Sequence, residues 1–288
     1  RYVPDTICKL IREEKVTFSH CVPTILQMVL TSEKAREVDL SGWKMIIGGS
    51  AMTGSLARMA RDRGIDVFTG YGMSETCPIL TLAQVPTGDL GSEREAALRV
   101  KTGRPVPLVA LRTVDGDMND CPRDGKSTGE VVVRAPWLTQ GYLHQAEASE
   151  ELWRGGWLHT QDIGHIDAEG YLQVTDRIKD VIKTGGEWVS SLQIEDIIAR
   201  HPAVAETAVI GVQDGKWGER PVALVVLKKD VAAVSEEDIR QHVLAAAEAG
   251  TISRYGVPDR VRFVSELART SVGKLNKRVM REQYPAGG

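Results

Sequence analysis

The sequence predicts a parallel α/β layer, then a small β layer, then a compact α+β domain. Three observations carry that reading. Helical and strand patterns alternate, with glycine between them, as far as Gly72; short β-rich pieces separated by turn signals fill the middle; and after Asp176-Arg177 the order becomes helix, two strands, helix, strand. The last of these spans roughly 110 residues, within the usual domain range. The boundary is expected to give domains 1–176 and 177–288, and no internal repeat or low-complexity run interrupts either.

In the segment from Asp5 to Glu14, Ile7, Leu10 and Ile11 fall at i, i+3, i+4, the spacing of an amphipathic helix, with Pro4 and Asp5 as its start. A second helix follows Pro23. Lys44-Met-Ile-Ile-Gly-Gly-Ser50 reads as a short buried strand ending in a glycine turn. A helix from Ser55 to Arg63, stopped by Gly64, then leads to a strand from Asp66 to Gly72. Strand, helix, strand implies a parallel crossover, and ligands of such sheets sit at the carboxyl ends of the strands. Further strands are expected at Val106 to Val114, Glu130 to Ala135, Gly164 to Asp167 and Tyr171 to Thr175. The final domain should hold a helix from Ser191 to Arg200 and strands at Val204 to Val212 and Pro221 to Lys228. A helix opened by Ser235-Glu-Glu-Asp238 and ended near Gly250 should precede its last strand.

Composition narrows the function. The 288 residues are 42% hydrophobic and 26% charged, with a net charge of -3, so no basic surplus draws the chain to nucleic acid or acidic membranes. Cys8, Cys21, Cys77 and Cys121 are widely spaced and form no metal-binding pair, which reads as reduced thiols in a cytoplasmic protein. The longest apolar runs, such as Val222 to Leu227, fall far short of the roughly 18 residues a membrane span requires. The chain opens Arg-Tyr-Val-Pro, without methionine and at the edge of a helix, as the middle of something longer would.

Six segments are candidates for chemistry. Asp124-Gly-Lys-Ser-Thr128 ends like a phosphate-binding P-loop, but Asp120 stands at the first glycine position and Pro122 intervenes, so it is a polar turn. Gly48-Gly-Ser-Ala51 after a strand either brings backbone N–H groups close to a ligand or is an ordinary turn. In Thr69-Gly-Tyr-Gly-Met-Ser-Glu-Thr76, Tyr71 either stacks on a base or packs on its own domain. There Ser74 can donate to phosphate, and Glu75 either holds Mg2+ or faces solvent. Asp162, placed just before a strand, suits a ribose diol or caps a turn. Arg177, Lys179, Asp180 and Lys183 gather at the domain joint ahead of Gly185-Gly186, and Lys274 lies in a glycine-bearing loop near the C-terminus.

Taken in order, these segments resemble the adenylate-forming superfamily of acyl-CoA synthetases, adenylation domains and luciferases. The matches are Gly48-Gly-Ser-Ala, Tyr71-Gly-Met-Ser-Glu-Thr, Gly129-Glu-Val-Val-Val-Arg with Gly141-Tyr, Thr160-Gln-Asp162, Asp176-Arg177 through Gly186, and Thr270-Ser-Val-Gly-Lys274. Lys179-Asp-Val-Ile-Lys-Thr-Gly-Gly-Glu-Trp-Val-Ser-Ser-Leu and Lys216-Trp-Gly-Glu-Arg-Pro221 look most like the medium-chain fatty-acyl-CoA synthetase and methylmercaptopropionate-CoA ligase branch. The resemblance implies the C-terminal part of a large adenylation domain and a whole mobile C-terminal domain. It implies a reaction in which a carboxylic acid and Mg-ATP give acyl-AMP and pyrophosphate, after which coenzyme A displaces AMP. Gly49, Ser50, Ala51, Gly70, Tyr71, Gly72, Met73 and Ser74 would line the nucleotide, Glu75 would hold Mg2+, and Asp162 and Arg177 would bind the ribose. Lys274 would be the adenylation lysine. Lys179 would be the hinge; Lys183, Gly185, Gly186 and Trp188 would meet coenzyme A, with Trp217 a further stacking candidate; and Val22, Pro23, Gly48 and Met73 would face the acyl group.

Two features depart from the family pattern. Gln161 stands where glycine usually precedes the ribose-binding acid, which bears on the turn before Asp162. The family's phosphate loop ending Pro-Lys-Gly occurs nowhere in the 288 residues, so the first half of the large domain is expected to lie outside this chain. The cut face of a half-domain would favour a homo-oligomer. The competing readings are an adenylation domain loading a carrier protein and an inactive nucleotide-binding or dimerisation fragment.

Overall fold

A computed structural model describes residues 2–228, 233–269 and 275–285. The chain divides into two compact units, one of residues 1–160 with 164–174, the other of residues 161–163 with 175–288.

The first unit opens with helix α1 (Pro4–Glu13), whose proline sits in its first turn where an amide would have no helical partner. Its buried stripe is Cys8 and Ile11, with Ile7 partly covered, while Leu10 is 48% exposed. The expected apolar face is therefore rotated away from Leu10. Strand β1 (Phe18–Cys21) leads through α2 (Pro23–Thr31) and α3 (Glu33–Arg36) to β2 (Lys44–Ile47). Helix α4 (Gly54–Asp62) then crosses to β3 (Asp66–Gly72). Strands β1, β2 and β3 pair in parallel, as the alternation requires, with Cys21, Ile47 and Thr69 at one level. Strands β4 (Ile79–Leu82) and β5 (Arg104–Pro105) extend the sheet antiparallel, in the order β1-β2-β3-β4-β5. Neither strand is anticipated from sequence pattern, because both are too short for a period of two to register. Met45, Ile47 and Val67 from the sheet, Leu26 and Val29 from α2 and Leu56, Ala57 and Ala60 from α4 form one core.

Helix α5 (Glu93–Arg99) precedes a second sheet, β6 (Ala110–Val114), β7 (Gly129–Arg134), β8 (Leu158–Ile166) and β9 (Leu172–Arg177), in that order. Helix α6 (Ala146–Leu152) lies between β7 and β8 in the chain. β8 starts six residues earlier than the expected strand at Gly164, because the polar run His159-Thr160-Gln161-Asp162 hides its alternation. His159, Thr160 and Asp162 are nonetheless buried.

The second unit contains β10 (Ile182–Thr184), β11 (Glu187–Val189), α7 (Ser191–Ala199), β12 (Val204–Asp214) and β13 (Gly218–Leu227). It continues through α8 (Glu236–Glu248) and β14 (Arg260–Phe263) to α9 (Lys277–Gln283). Its sheet runs β11-β10-β13-β12, with β14 parallel to β13. Successive strand residues point to opposite faces. Val209, Ala223 and Val225 therefore pack with Ile194, Ile198, Ile239 and Val243 of α7 and α8, while Ala208, Ile210, Val222 and Leu224 pack with Met280 of α9. Ser235 and Asp238 make the expected reciprocal cap of α8.

An ion cluster ties α5 to the first sheet. Arg99, only 9% exposed at its side chain, lies 2.7 Å from Asp66 Oδ1, and its Nε donates to Glu95 Oε1 at 2.8 Å. Arg61 and the Gly91 amide also donate to Glu95. Burial opposes ionisation of Glu95, yet the Gly91 amide and the two guanidinium groups outweigh it and hold the carboxyl below its ordinary value. A carboxyl depressed in this way stabilises the fold above its unfolded value, and that contribution is lost as the pH falls through the folded one. Arg99→Met leaves Glu95 buried without its most buried partner and should cost about 3–5 kcal/mol in urea unfolding at neutral pH. An unchanged midpoint would show the cluster to be energetically idle.

Candidate active site

In the first unit the loops after β1, β2 and β3 leave the sheet side by side. A side chain on Gly48 would come within 2.9 Å of His20 Nε2 and 3.3 Å of the Gly70 carbonyl; one on Gly49, at φ +79, would meet Val22 at 3.3 Å. One on Gly70 would strike Ile46 at 2.7 Å, and one on Gly72 would overlap the Pro78 carbonyl. Close backbone approach requires glycine at Gly72, positive φ favours it at Gly49, and at Gly48 and Gly70 a neighbouring side chain would have to shift. Val22, Pro23, Gly48, Gly49 and Gly70 are thus gathered at the carboxyl ends of adjacent parallel strands, where ligands of such sheets bind. Gly48 and Gly70 are buried, and Gly49, Ser50 and Ala51 are exposed.

Beyond Gly72 the chain makes a single turn of 3-10 helix, Ser74–Thr76, pinned by the buried Thr76: its hydroxyl accepts from the Met73 amide at 2.9 Å. Ser74 is exposed and Glu75 half-buried. The Tyr142 hydroxyl donates to Glu75 Oε1 at 2.9 Å, and the Thr139 amide donates to the Glu75 carbonyl at 3.0 Å. Burial and the carboxylate together push the Tyr142 phenol up, so it remains a donor. Tyr71 is half-buried against the core of the second sheet, which supports the packing alternative for at least part of its ring. Tyr142 was not anticipated as a partner of Glu75. The glycine before it, whose Cβ would meet Ser149 at 2.6 Å, was the available signal.

In the second unit Asp162 lies within β8, not before a strand as expected, because β8 passes through it. Its carboxylate is buried and lies 3.3 Å from Arg177 Nε, itself 55% exposed. Gln161 is held at φ +59, the left-handed conformation that glycine adopts freely. A non-glycine residue there costs about 1–2 kcal/mol, yet Asp162 keeps its place beside Arg177.

Lys183, Gly185, Gly186 and Trp188 form one hairpin in place of a charged linker. Thr184 pairs with Glu187 across a two-residue turn in which Gly185 (φ +60) and Gly186 (φ +83) both require positive φ. Lys183 lies 5.4 Å over the Trp188 ring, which is 51% exposed. The Gly185 amide donates to the Trp217 carbonyl at 2.9 Å. A Cβ at Gly185 would meet the Tyr255 ring at 2.7 Å, and that ring stands edge-on to Trp217 at 5.7 Å. Arg220, not anticipated, fixes this corner: it donates to the Tyr255 and Val257 carbonyls at 3.0 and 3.2 Å and pairs with Asp259 at 2.6 Å. Lys179 is exposed. Lys274 lies outside the described residues.

Among the described residues no group of three or more His, Cys, Asp or Glu side chains is placed to hold a metal ion. An ion at Glu75 would have one protein carboxylate and would take its other ligands from phosphate or water, as Mg2+ does. All four cysteines are free, and burial pushes the Cys21 thiol up to about 11. No helix among the described residues is long and apolar enough to cross a membrane.

Residues 1–143 match the family model for AMP-binding enzyme, and residues 193–274 that for the AMP-binding enzyme C-terminal domain. The chain is 39% identical to a long-chain-fatty-acid--CoA ligase of Thermus thermophilus, covering 99% of this chain and 52% of that protein. It is 38% identical to a 3-methylmercaptopropionyl-CoA ligase of Ruegeria pomeroyi, covering 97% and 51%. The crystal structure of ATP-bound MatB from Rhodopseudomonas palustris superposes with a TM-score of 0.82 at 29% identity, covering 99% of this chain and 54% of that one. The chain spans about half the length of the curated relatives it matches. With glycine-lined strand ends, an acidic turn after β3 and a match to both family models, the chain belongs to the AMP-binding enzyme family.

Proposed function

We propose that this chain carries the acyl-adenylate floor and the mobile C-terminal domain, 177–288, of a cytoplasmic AMP-forming acid:CoA ligase for a medium-chain fatty acid or a similar small acid. The observation that carries the reading is the row of glycines at the ends of β2 and β3, with Ser74 and the Tyr142-held Glu75 at its margin. The names of the relatives, ligases joining acids to coenzyme A, give the reaction class.

In the first half-reaction an oxygen of the acid's carboxylate attacks the α-phosphorus of ATP, the α–β phosphoanhydride bond breaks, pyrophosphate leaves with the bonding pair, and acyl-AMP forms. Gly49 to Ala51 and Gly70 to Ser74 border the nucleotide, Val22, Pro23, Gly48 and Met73 border the acyl group, and Asp162 with Arg177 holds the ribose. Mg2+, when bound, shields the negative charge of the phosphates, with Glu75 as its protein ligand. Tyr142 fixes one Glu75 oxygen, which orients the other. Lys274 acts where negative charge accumulates between carboxylate and α-phosphate, so its binding energy is expressed in the transition state. In the second half-reaction the coenzyme A sulfur attacks the acyl carbon, AMP leaves with the bonding pair, and the thiol proton is lost to solvent. Rotation about Lys179 exchanges Lys274 for the Gly185-Gly186 hairpin, whose bare turn admits the pantetheine arm while Lys183, Trp188 and Trp217 receive the nucleotide end.

The direct test incubates the chain with coenzyme A and straight-chain, branched and aromatic acids plus Mg-ATP, and in parallel with preformed acyl-AMP, reading acyl-CoA by mass spectrometry. Thioester from acyl-AMP is expected; its absence from both samples would reject the reading in favour of a binding module. Lys274→Ala should leave thioester formation from acyl-AMP within about two-fold while lowering pyrophosphate release from ATP by several orders of magnitude wherever that step is measurable. Equal loss of both steps would contradict the division of labour. Gly185→Ala forces a Cβ onto Tyr255 at positive φ and should slow the thioester step about ten-fold or more without weakening acyl-AMP binding. Parallel loss of both would mean the hairpin serves folding alone.

A further inference from the structure

The segment that contains Lys179 is not a bare linker. Upstream of that residue, the carboxylate of Asp176 is 2% exposed and accepts at Oδ2 from both the amide and the hydroxyl of Ser191, each at 2.6 Å. Its Oδ1 accepts from the Arg177 amide at 2.8 Å, and the neighbouring Thr175 carbonyl accepts from the Ser190 hydroxyl at 2.6 Å. Downstream, Lys277 at the start of α9 is almost fully buried; its ammonium donates to Ser191 Oγ at 2.6 Å and lies 2.7 Å from Glu195 Oε1. An ammonium only donates and a carboxylate only accepts, so the Ser191 hydroxyl must take its bond from Lys277 and give its proton to Asp176. Glu195 in turn accepts from the Val209 amide at 2.7 Å, fixing the chain of groups to β12.

One turn along α9, Arg281 donates to the Lys179 carbonyl at 3.0 Å and to Asp180 Oδ1 at 2.7 Å. These contacts differ in kind from those of Asp176. The Lys179 carbonyl and Asp180 both follow the φ and ψ bonds of Lys179, so a rotation there carries them together with α9. Asp176 and Thr175 precede those bonds, whereas Ser190, Ser191 and Lys277 follow them. A large rotation about Lys179 preserves the Arg281 contacts and must break every bond that Ser190 and Ser191 make to Thr175 and Asp176.

We infer that Asp176, Ser191 and Lys277 form a latch across the hinge, whose closure holds one of the two rotational states and whose release permits the other. Asp176 and Ser191 are positioning residues, acting on the hinge and not on the reacting atoms, and Arg281 keeps the moving body rigid up to the pivot. This inference rests on the proposed rotation about Lys179. Loss of a bond to a buried charged group weakens the closed state by about ten-fold, so the open state gains population by a similar factor.

The test is a distance measurement between spin labels at Glu147 in α6 and Ala245 in α8, with Cys77 replaced by serine, in the presence of a stable acyl-adenylate analogue. Ser191→Ala removes the bridging hydroxyl; Asp176→Asn weakens the acceptor at nearly constant shape and guards against misfolding of the first variant. Both should raise the minor distance population about ten-fold in the same direction, and Lys179→Pro should suppress that change. Populations that respond to Lys179→Pro but to neither latch variant would overturn the latch and leave the pivot standing. Latch variants that respond equally with and without Lys179→Pro would uphold a latch but place the pivot elsewhere. A single unvarying distance in all variants would overturn both.

Discussion

Three parallel strands that end at one level leave almost no volume where their chains turn away, and the rest of the candidate site follows from that constraint. At Gly48 and Gly70 a single added carbon meets His20 and Ile46 below van der Waals distance, and at Gly72 it overlaps the Pro78 carbonyl. Bare backbone is therefore the lining that close packing permits, and it lets a flat ligand approach without a side chain in the way. The acidic turn that follows is held from two sides, by Thr76 beneath it and by Tyr142 across from it. Glu75 thus has a fixed direction, which a carboxylate on a mobile loop would lack.

The second unit is internally complete, as the mobile domain proposed here would have to be. Its sheet is covered on both faces, by α7 and α8 on one and α9 on the other, so few apolar groups depend on a neighbour outside it. Charged groups concentrate where the chain enters. Lys277 and Glu195 bury opposite charges at 2.7 Å, and Ser191 passes the interaction on to Asp176. Such buried pairs seldom add net stability over apolar packing, but leaving one partner alone is costly, which makes their geometry close to all-or-none. That property suits a switch between two defined states.

Much of this was legible in the sequence, for identifiable reasons. The parallel layer showed because α4 and β3 each carry their own period and Gly64 separates them. The glycine loops showed because their residue types are constrained by close approach. The β10–β11 hairpin did not, since three-residue strands have no period and the charged run Arg177 to Lys183 resembled a linker. Asp162 was singled out as a candidate but placed outside its strand, because buried polar residues on β8 read as surface. The Asp176–Ser191–Lys277 chain was invisible for another reason: its members lie 15 and 86 residues apart, and only folding brings them together.

The central claim is that this chain binds an acyl-adenylate, and isothermal titration with a non-hydrolysable acyl-sulfamoyl adenosine tests it most directly. The account predicts saturable binding at one site, weakened at least about ten-fold by Asp162→Ala, which removes the buried carboxylate assigned to the ribose. Binding of equal strength to the variant, or no binding to the unaltered chain, would contradict it.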